Sequence, residues 1–236
     1  MRFDVALTTG ILEQRYKRFL ADVKLSCGKT ITAHTANTGS MAGCATPGSR
    51  VWLSLSDNPK RKYAYTWELV ENDSGILIGI NTMRSNYLVR EAVEAGVIAE
   101  LANYGALKME AVYPQSRSRA DIFLSERNGK KDCFVEVKNV TLVKKGIGLF
   151  PDAPSERAVK HLGKLERMVE LGYRAVLLFC VQREDAALVQ PATTIDPIFT
   201  RALRQASDKG VEVLAYQAQM SPEKIELVRR LEVEIV

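Results

Sequence analysis

Over the first third of the chain, apolar and polar residues alternate in short runs, the period of strands laid half-buried on a core. Val51-Trp52-Leu53-Ser54-Leu55 is one such run, and residues 64–70 and 75–80 form two more around the turn residues Asn72-Asp73-Ser74. Earlier, residues 14–23 interleave aromatics and aliphatics with basic side chains. Ser26-Cys27-Gly28-Lys29 then turns the chain into Thr30-Ile31-Thr32-Ala33-His34. Asn37-Thr38-Gly39-Ser40-Met41 and Pro47-Gly48 supply further turns. Five or so strand segments with no long helix between them predict a small β-barrel over residues 1–80.

The rhythm changes after Asn81. Residues 86–95 read as a helix ending at Gly96, followed by a short helical stretch to Leu101. Strands are expected over 108–113, 120–125 and 133–142, and Gly146-Ile147-Gly148 reads as a mobile loop. Residues 156–171 form an amphipathic helix with Ala158, Leu162, Leu165 and Val169 on its apolar face, Ser155 before it and Gly172 after it. The buried strand 175–181, the helix 197–208 and the strand 211–216 make a βαβ crossover. Residues 81–236 are therefore expected to be an α/β domain with a mixed sheet, making the whole chain a barrel followed by α/β.

Composition changes this picture little: 236 residues, 46% hydrophobic and 26% charged, describe an ordinary globular chain. The longest apolar run, residues 175–181, is far short of a membrane span. The N-terminus has no apolar core of a signal peptide, and the four cysteines are widely spaced with no C-x-x-C pair. A cytoplasmic protein with free thiols and no membrane partner is expected. Charge is more informative. Residues 1–70 hold 10 Lys and Arg against 5 Asp and Glu, which accounts for the entire net charge of +5, while residues 71–236 hold 23 of each. A basic first module attracts a polyanion, and nucleic acid is the commonest.

One stretch carries chemistry. Asn128-Gly129 is a strong two-residue hairpin signal. Counting outward from it sets Asp121 opposite Glu136, with Cβ atoms about 5 Å apart on one face. Lys138 shares that face, because strand side chains alternate. Paired carboxylates repel unless a cation or proton lies between them, and a hard cation such as Mg²⁺ or Mn²⁺ takes oxygen ligands. A lysine beside them would offset charge building on a phosphate. A solvated Glu–Lys ion pair has the same spacing, and the pattern alone does not separate the two.

Asp121…Glu136-Val137-Lys138 resembles the core of the PD-(D/E)xK nucleases, although no Pro precedes Asp121. Longer stretches resemble the sugar fermentation stimulation protein A family. They are Gln14-Arg15-Tyr16-Lys17-Arg18-Phe19, Asn37-Thr38-Gly39-Ser40-Met41, Ser118-Arg119-Ala120-Asp121, Glu136-Val137-Lys138-Asn139-Val140-Thr141-Leu142, Phe150-Pro151-Asp152-Ala153 and Lys160-His161-Leu162. The resemblance implies DNA binding, an N-terminal OB-like barrel and a restriction-endonuclease-like second domain. It implies a site in which Asp121 and Glu136 hold Mg²⁺ or Mn²⁺, Lys138 completes it, and an acidic residue on the preceding helix supports it. Glu91 is the best match to that last position, with Glu110 the alternative. A nuclease fold can also be kept for binding alone, which leaves a non-catalytic DNA-binding regulator of sugar (maltose-type) metabolism genes as the competing expectation.

For DNA contact, Arg15, Lys17, Arg18, Lys60, Arg61 and Lys62 interleave with Tyr16, Phe19, Trp52 and Trp67, as OB surfaces combine phosphate attraction with stacking. Arg117 and Arg119 lead into the Asp121 strand, and Lys160 begins the amphipathic helix, each a candidate phosphate contact. His34 and His161 read as packing or hydrogen-bonding residues. No helix-turn-helix or zinc pattern is visible, so backbone contact with weak sequence preference is expected, with no small-molecule cofactor.

Overall fold

The computed structural model describes residues 1–126, 129 and 131–235. Its first strands, β1 (Thr8–Tyr16) and β2 (Leu20–Leu25), are an antiparallel hairpin. The expected segment 14–23 is therefore split, because Lys17 and Arg18 turn the chain in the left-handed region at φ +49° and +65°. β3 (Thr30–His34) pairs with β2, while β4 (Arg50–Leu55) pairs with the other edge of β1. β5 (Tyr65–Glu71) pairs antiparallel with β4 and parallel with β3 at Ala33–Tyr65 and His34–Thr66. That parallel contact closes five strands into an OB-type barrel, and β6 (Leu77–Gly79) adds to β5. Leu12, Val23, Val51, Leu53, Trp67 and Ile78 fill the interior. At Gly10 a Cβ would stand 2.4 Å from Val23, so only glycine lets β1 cross β2 this closely.

Among the described residues the second domain holds a nine-stranded mixed sheet. Helix α1 (Arg84–Glu94) precedes β7 (Ala106–Val112), β8 (Arg119–Ser125) and β9 (Cys133–Val140). β10 (Leu142–Lys144) and β11 (Ile147–Phe150) form a hairpin. The mobile loop expected at 146–148 is thus an ordered turn and strand, and β11 pairs onward with β13 (Leu188–Pro191). Between them lie α2 (Glu156–Glu170) and β12 (Arg174–Val181), and α3 (Pro197–Asp208), β14 (Glu212–Met220) and β15 (Ile225–Val233) complete the sheet. The strand order is β10-β11-β13-β15-β14-β12-β9-β8-β7.

β12 organises the core. It is parallel to both neighbours, β9 and β14, and its alternate residues serve opposite layers. Val176, Leu178 and Cys180 pack with Leu88, Val89 and Ala92 of α1. Ala175, Leu177, Phe179 and Val181 pack with Leu162 and Leu165 of α2 and Phe199 and Leu203 of α3. A strand covered on both faces has no polar side, which is why its sequence is continuously apolar; each large side chain contributes about 1.5–3 kcal/mol by burial. On α2, Met168 rather than Val169 completes the buried face. Ser155 caps α2 by accepting from the Ala158 N–H, and Asp196 caps α3 by accepting from the Phe199 N–H. Among the described residues no helix is long and apolar enough to cross a membrane.

The chain's first residues reach its last hairpin. The Phe3 N–H donates to Glu223 at 3.0 Å, and Ile225 donates to Met1 at 2.9 Å.

Candidate active site

The β8–β9 hairpin pairs Ile122 with Val135, Phe123 with Phe134 and Leu124 with Cys133, which is the register counted from the sequence. Asn128, on which that count rests, lies outside the described residues. One step further along, Asp121 and Glu136 line the same cleft of about 740 Å³, together with Lys138. Its other walls include residues 36–40 of the barrel, Thr82, Ser85 and Asn86 around the start of α1, and the segment 149–155.

Asp121 is held at both oxygens. Its Oδ1 accepts from Asn86 Nδ2 at 2.9 Å and its Oδ2 from the Val137 N–H at 2.7 Å. Glu136 is only 1% exposed. Its Oε1 accepts from Lys138 Nζ at 2.7 Å and from His161 Nδ1, and its Oε2 from the Tyr113 hydroxyl at 3.4 Å. Arg157 Nε lies 3.4 Å from His161 Nε2 and Lys138 Nζ 3.2 Å from its Nδ1, so the ring sits between these cations and Glu136.

The two carboxyls are driven apart. Burial first, then the Glu136 charge, push Asp121 up to about 6, against the pull of the Val137 N–H, Lys138 and Asn86. Burial would raise Glu136 as well, but the His161 hydrogen bond and the charges of Lys138 and His161 together outweigh it and hold the group down to about 2. Tyr113 is pushed up by burial and by both carboxylates, so it stays a neutral donor. Among the described residues no three His, Cys, Asp or Glu side chains are grouped to hold a metal. What the cleft presents is two carboxylates with room for water, a donor set suited to a hard, partly hydrated cation.

Other sequence candidates lie elsewhere. Glu91 pairs with the Met1 ammonium at 2.5 Å and does not line the cleft; Asn86 is the α1 side chain that meets Asp121. Glu110 is exposed on β7. Arg15 donates to the carbonyls of Arg18, Asn37 and Gly39 at 2.6, 3.1 and 3.0 Å, fastening the barrel loop. Lys17, Arg18, Lys60 and Lys62 are exposed on barrel turns, Arg61 is half-buried, and Arg18 reaches the cleft rim. Arg117 and Arg119 are exposed ahead of Asp121. Lys160 points to solvent near Glu156 at 3.8 Å. Trp67 is fully buried with its Nε1 donating to the Leu69 carbonyl, and Trp52 is buried under Arg50. Tyr16 donates to Asp22, and Phe19 stays exposed beside His34. Sequence reasoning missed Asn86, Tyr113 and Arg157, whose roles depend on which helix face or strand end meets the hairpin.

Both domains match known family models. Residues 14–80 match the SfsA N-terminal OB domain, and residues 83–224 match the sugar fermentation stimulation protein RE domain. A sugar fermentation stimulation protein homolog of Thioalkalivibrio sulfidiphilus is 52% identical, covering 100% of this chain and 98% of its own. The homolog of Geobacter metallireducens is 52% identical over 99% of each, and that of Shewanella halifaxensis 48% over 100% of each. A solved structure of Pyrococcus furiosus SfsA in complex with Ca²⁺ superposes with a TM-score of 0.89 at 25% identity, covering 99% of this chain and 98% of that one. With both domains matched in order and relatives alike from end to end, the chain belongs to the sugar fermentation stimulation protein family.

Proposed function

We propose that this protein binds DNA through its basic barrel and hydrolyses phosphodiesters at the Asp121–Glu136–Lys138 cleft. One observation carries the reading: two carboxylates and a lysine converge in a polar cleft, where burial and then the charge of Glu136 push Asp121 up to about 6. Among the described residues, Asp121 is the member of the pair without an ion-pair partner of its own. Mg²⁺ or Mn²⁺ held by Asp121 and Glu136 would supply a more acidic water and a counter-charge for phosphate. The Ca²⁺ bound by the Pyrococcus relative, another oxygen-seeking cation, supports this choice.

The chain's own residues have separate tasks. Asn86 and the Val137 N–H fix the Asp121 carboxylate, and His161 and Tyr113 fix Glu136. Lys138, anchored on Glu136, presents its remaining N–H bonds to a phosphate oxygen as negative charge develops there. Arg18 and Arg157 at the rim attract the neighbouring phosphates. The test is cleavage of several DNA forms with Mg²⁺ or Mn²⁺ by wild type, Asp121→Ala and Lys138→Ala. Metal-dependent cutting abolished in both variants, with DNA binding kept, is expected.

A specific observation favours a second reading. The charge of Glu136 is already met by Lys138 and His161, so half of the pair is satisfied without a cation. That arrangement suits a regulatory DNA-binding protein of sugar metabolism genes that does not cut. Wild type that cuts no DNA form would select it.

A further inference from the structure

Glu68 stands in the middle of β5, only 1% exposed. Arg84 takes its carboxylate as a fork, Nη2 donating to Oε1 at 2.8 Å and Nε to Oε2 at 3.1 Å. Ser54 Oγ donates to Oε1 at 2.7 Å and Asn81 Nδ2 to Oε2 at 2.9 Å. A charge this deeply buried persists because it is paired and hydrogen-bonded, and removing a partner is costly. Two of its partners, Asn81 and Arg84, flank the start of α1. No side chain caps that helix at Met83. Instead Asn81, held by Glu68 through its amide, accepts the Met83 N–H on its Oδ1 at 3.1 Å. Thr82 adds a second tie, its hydroxyl donating to the barrel carbonyl of Ala36 at 3.3 Å. Two residues beyond Arg84, Asn86 Nδ2 donates to Asp121 Oδ1 at 2.9 Å. Residues two apart in a helix are separated by a rise of only about 3 Å, so a shift of Arg84 carries Asn86 with it. A shift of about 1 Å away from Asp121 takes that contact out of hydrogen-bonding range.

From this chain of bonds we propose that Glu68, a barrel residue, is a positioning residue of the cleft: through Asn81 and Arg84 it fixes the first turn of α1, and through Asn86 the carboxylate of Asp121. The inference rests on the reading that Asp121 helps to hold a divalent cation. It gives the barrel a second task beside the proposed contact with DNA, that of setting the geometry of a site whose carboxylates both come from the other domain.

The test is calorimetric titration of the full-length protein with Mn²⁺. Glu68→Gln keeps the shape but replaces one acceptor oxygen by an amide, and is expected to weaken Mn²⁺ binding about 10-fold. In an Asn86→Ala background the same substitution is expected to change affinity by less than about twofold, because the route to Asp121 is already cut. No loss in wild type, or the same loss in both backgrounds, would overturn the inference. Arg84→Lys keeps the charge without the fork and is the milder variant, its side chain being one-third exposed. It is expected to follow the same pattern, and melting curves show that each variant is folded at the titration temperature. If wild type binds no Mn²⁺, the cation reading fails, and positioning is read instead from the Asn86 side-chain amide resonance, identified by its loss in Asn86→Ala. A shift of that resonance in Arg84→Lys and Glu68→Gln but not in Glu91→Ala upholds the inference, and an unmoved resonance overturns it.

Discussion

Asp152 and Met41 lie 111 residues apart in the chain, yet the carboxylate of one accepts the backbone N–H of the other at 2.9 Å. This bond joins the barrel to the second domain beside the cleft, and Gly39 leaves just enough space for it. Gly39→Ala should push the Asp152 carboxylate off Ser40 and Met41 and lower stability by about 1 kcal/mol for the hydrogen bonds lost. Urea unfolding of the variant against wild type reads this directly, and an unchanged midpoint would contradict the contact.

Asn86 should matter and Glu91 should not. Asn86→Ala frees one oxygen of Asp121 and is expected to weaken divalent-cation binding or activity by about 10–100-fold, as loss of an orienting partner commonly does. Glu91→Ala breaks only the pair with the Met1 ammonium and should leave both within twofold. Calorimetric titration with Mn²⁺ on each variant distinguishes them.

Stability without added metal should fall as pH rises from about 4 to about 6. Asp121 has its folded carboxyl raised to about 6 from an ordinary 3.8, so in that window the native state holds a proton that the unfolded chain has released. Above it, the ionised Asp121, buried and facing Glu136, opposes folding by roughly 1–3 kcal/mol. Asp121→Asn should flatten this slope and stabilise the protein near pH 7. Glu136, held down to about 2, acts oppositely: its contribution is complete above its ordinary 4.5 and disappears as pH falls toward 2. Unfolding midpoints from pH 3 to 8 test both signs.

DNA affinity should fall steeply with salt. Charge reversal at Lys17, Arg18, Lys60 and Arg61 is expected to weaken binding across sequences and to reduce the log–log salt slope by about 0.7–0.9 for each phosphate that the protein no longer neutralises. A slope left unchanged by all four reversals would move the DNA-binding surface off the barrel.

Much of this architecture can be read before any coordinates exist, where a local signal and the tertiary fold agree. The N-cap at Ser155 and Pro197 at the start of α3 mark true helix starts, and the seven apolar residues from Ala175 mark a strand covered on both faces. The hairpin count also predicts the β8–β9 register. Other elements leave no such trace. β10, β11 and β13 have three or four residues each, too few for a period to show, and β15 carries charges along much of its exposed side. Choosing Glu91 over Asn86 from sequence is a matter of helix face: residues five apart lie about 140° apart around the axis, and only packing decides which side meets Asp121. Asn37–Met41 and Phe150–Ala153 stand out as separate motifs, but their meeting at Asp152 is a product of the fold.

The bonds between the first residues and the β14–β15 turn set an order of events during synthesis. The Met1 ammonium donates to the carbonyl of Ile225, 224 positions later. A ribosome adding about 5–20 residues per second needs roughly 10–45 s to make that partner. The barrel emerges, and can fold, long before the sheet against which its leading end docks exists. The cleft, which needs both halves and the Asp152 bridge, is therefore assembled late. A nascent chain would present its basic barrel well before the cleft exists.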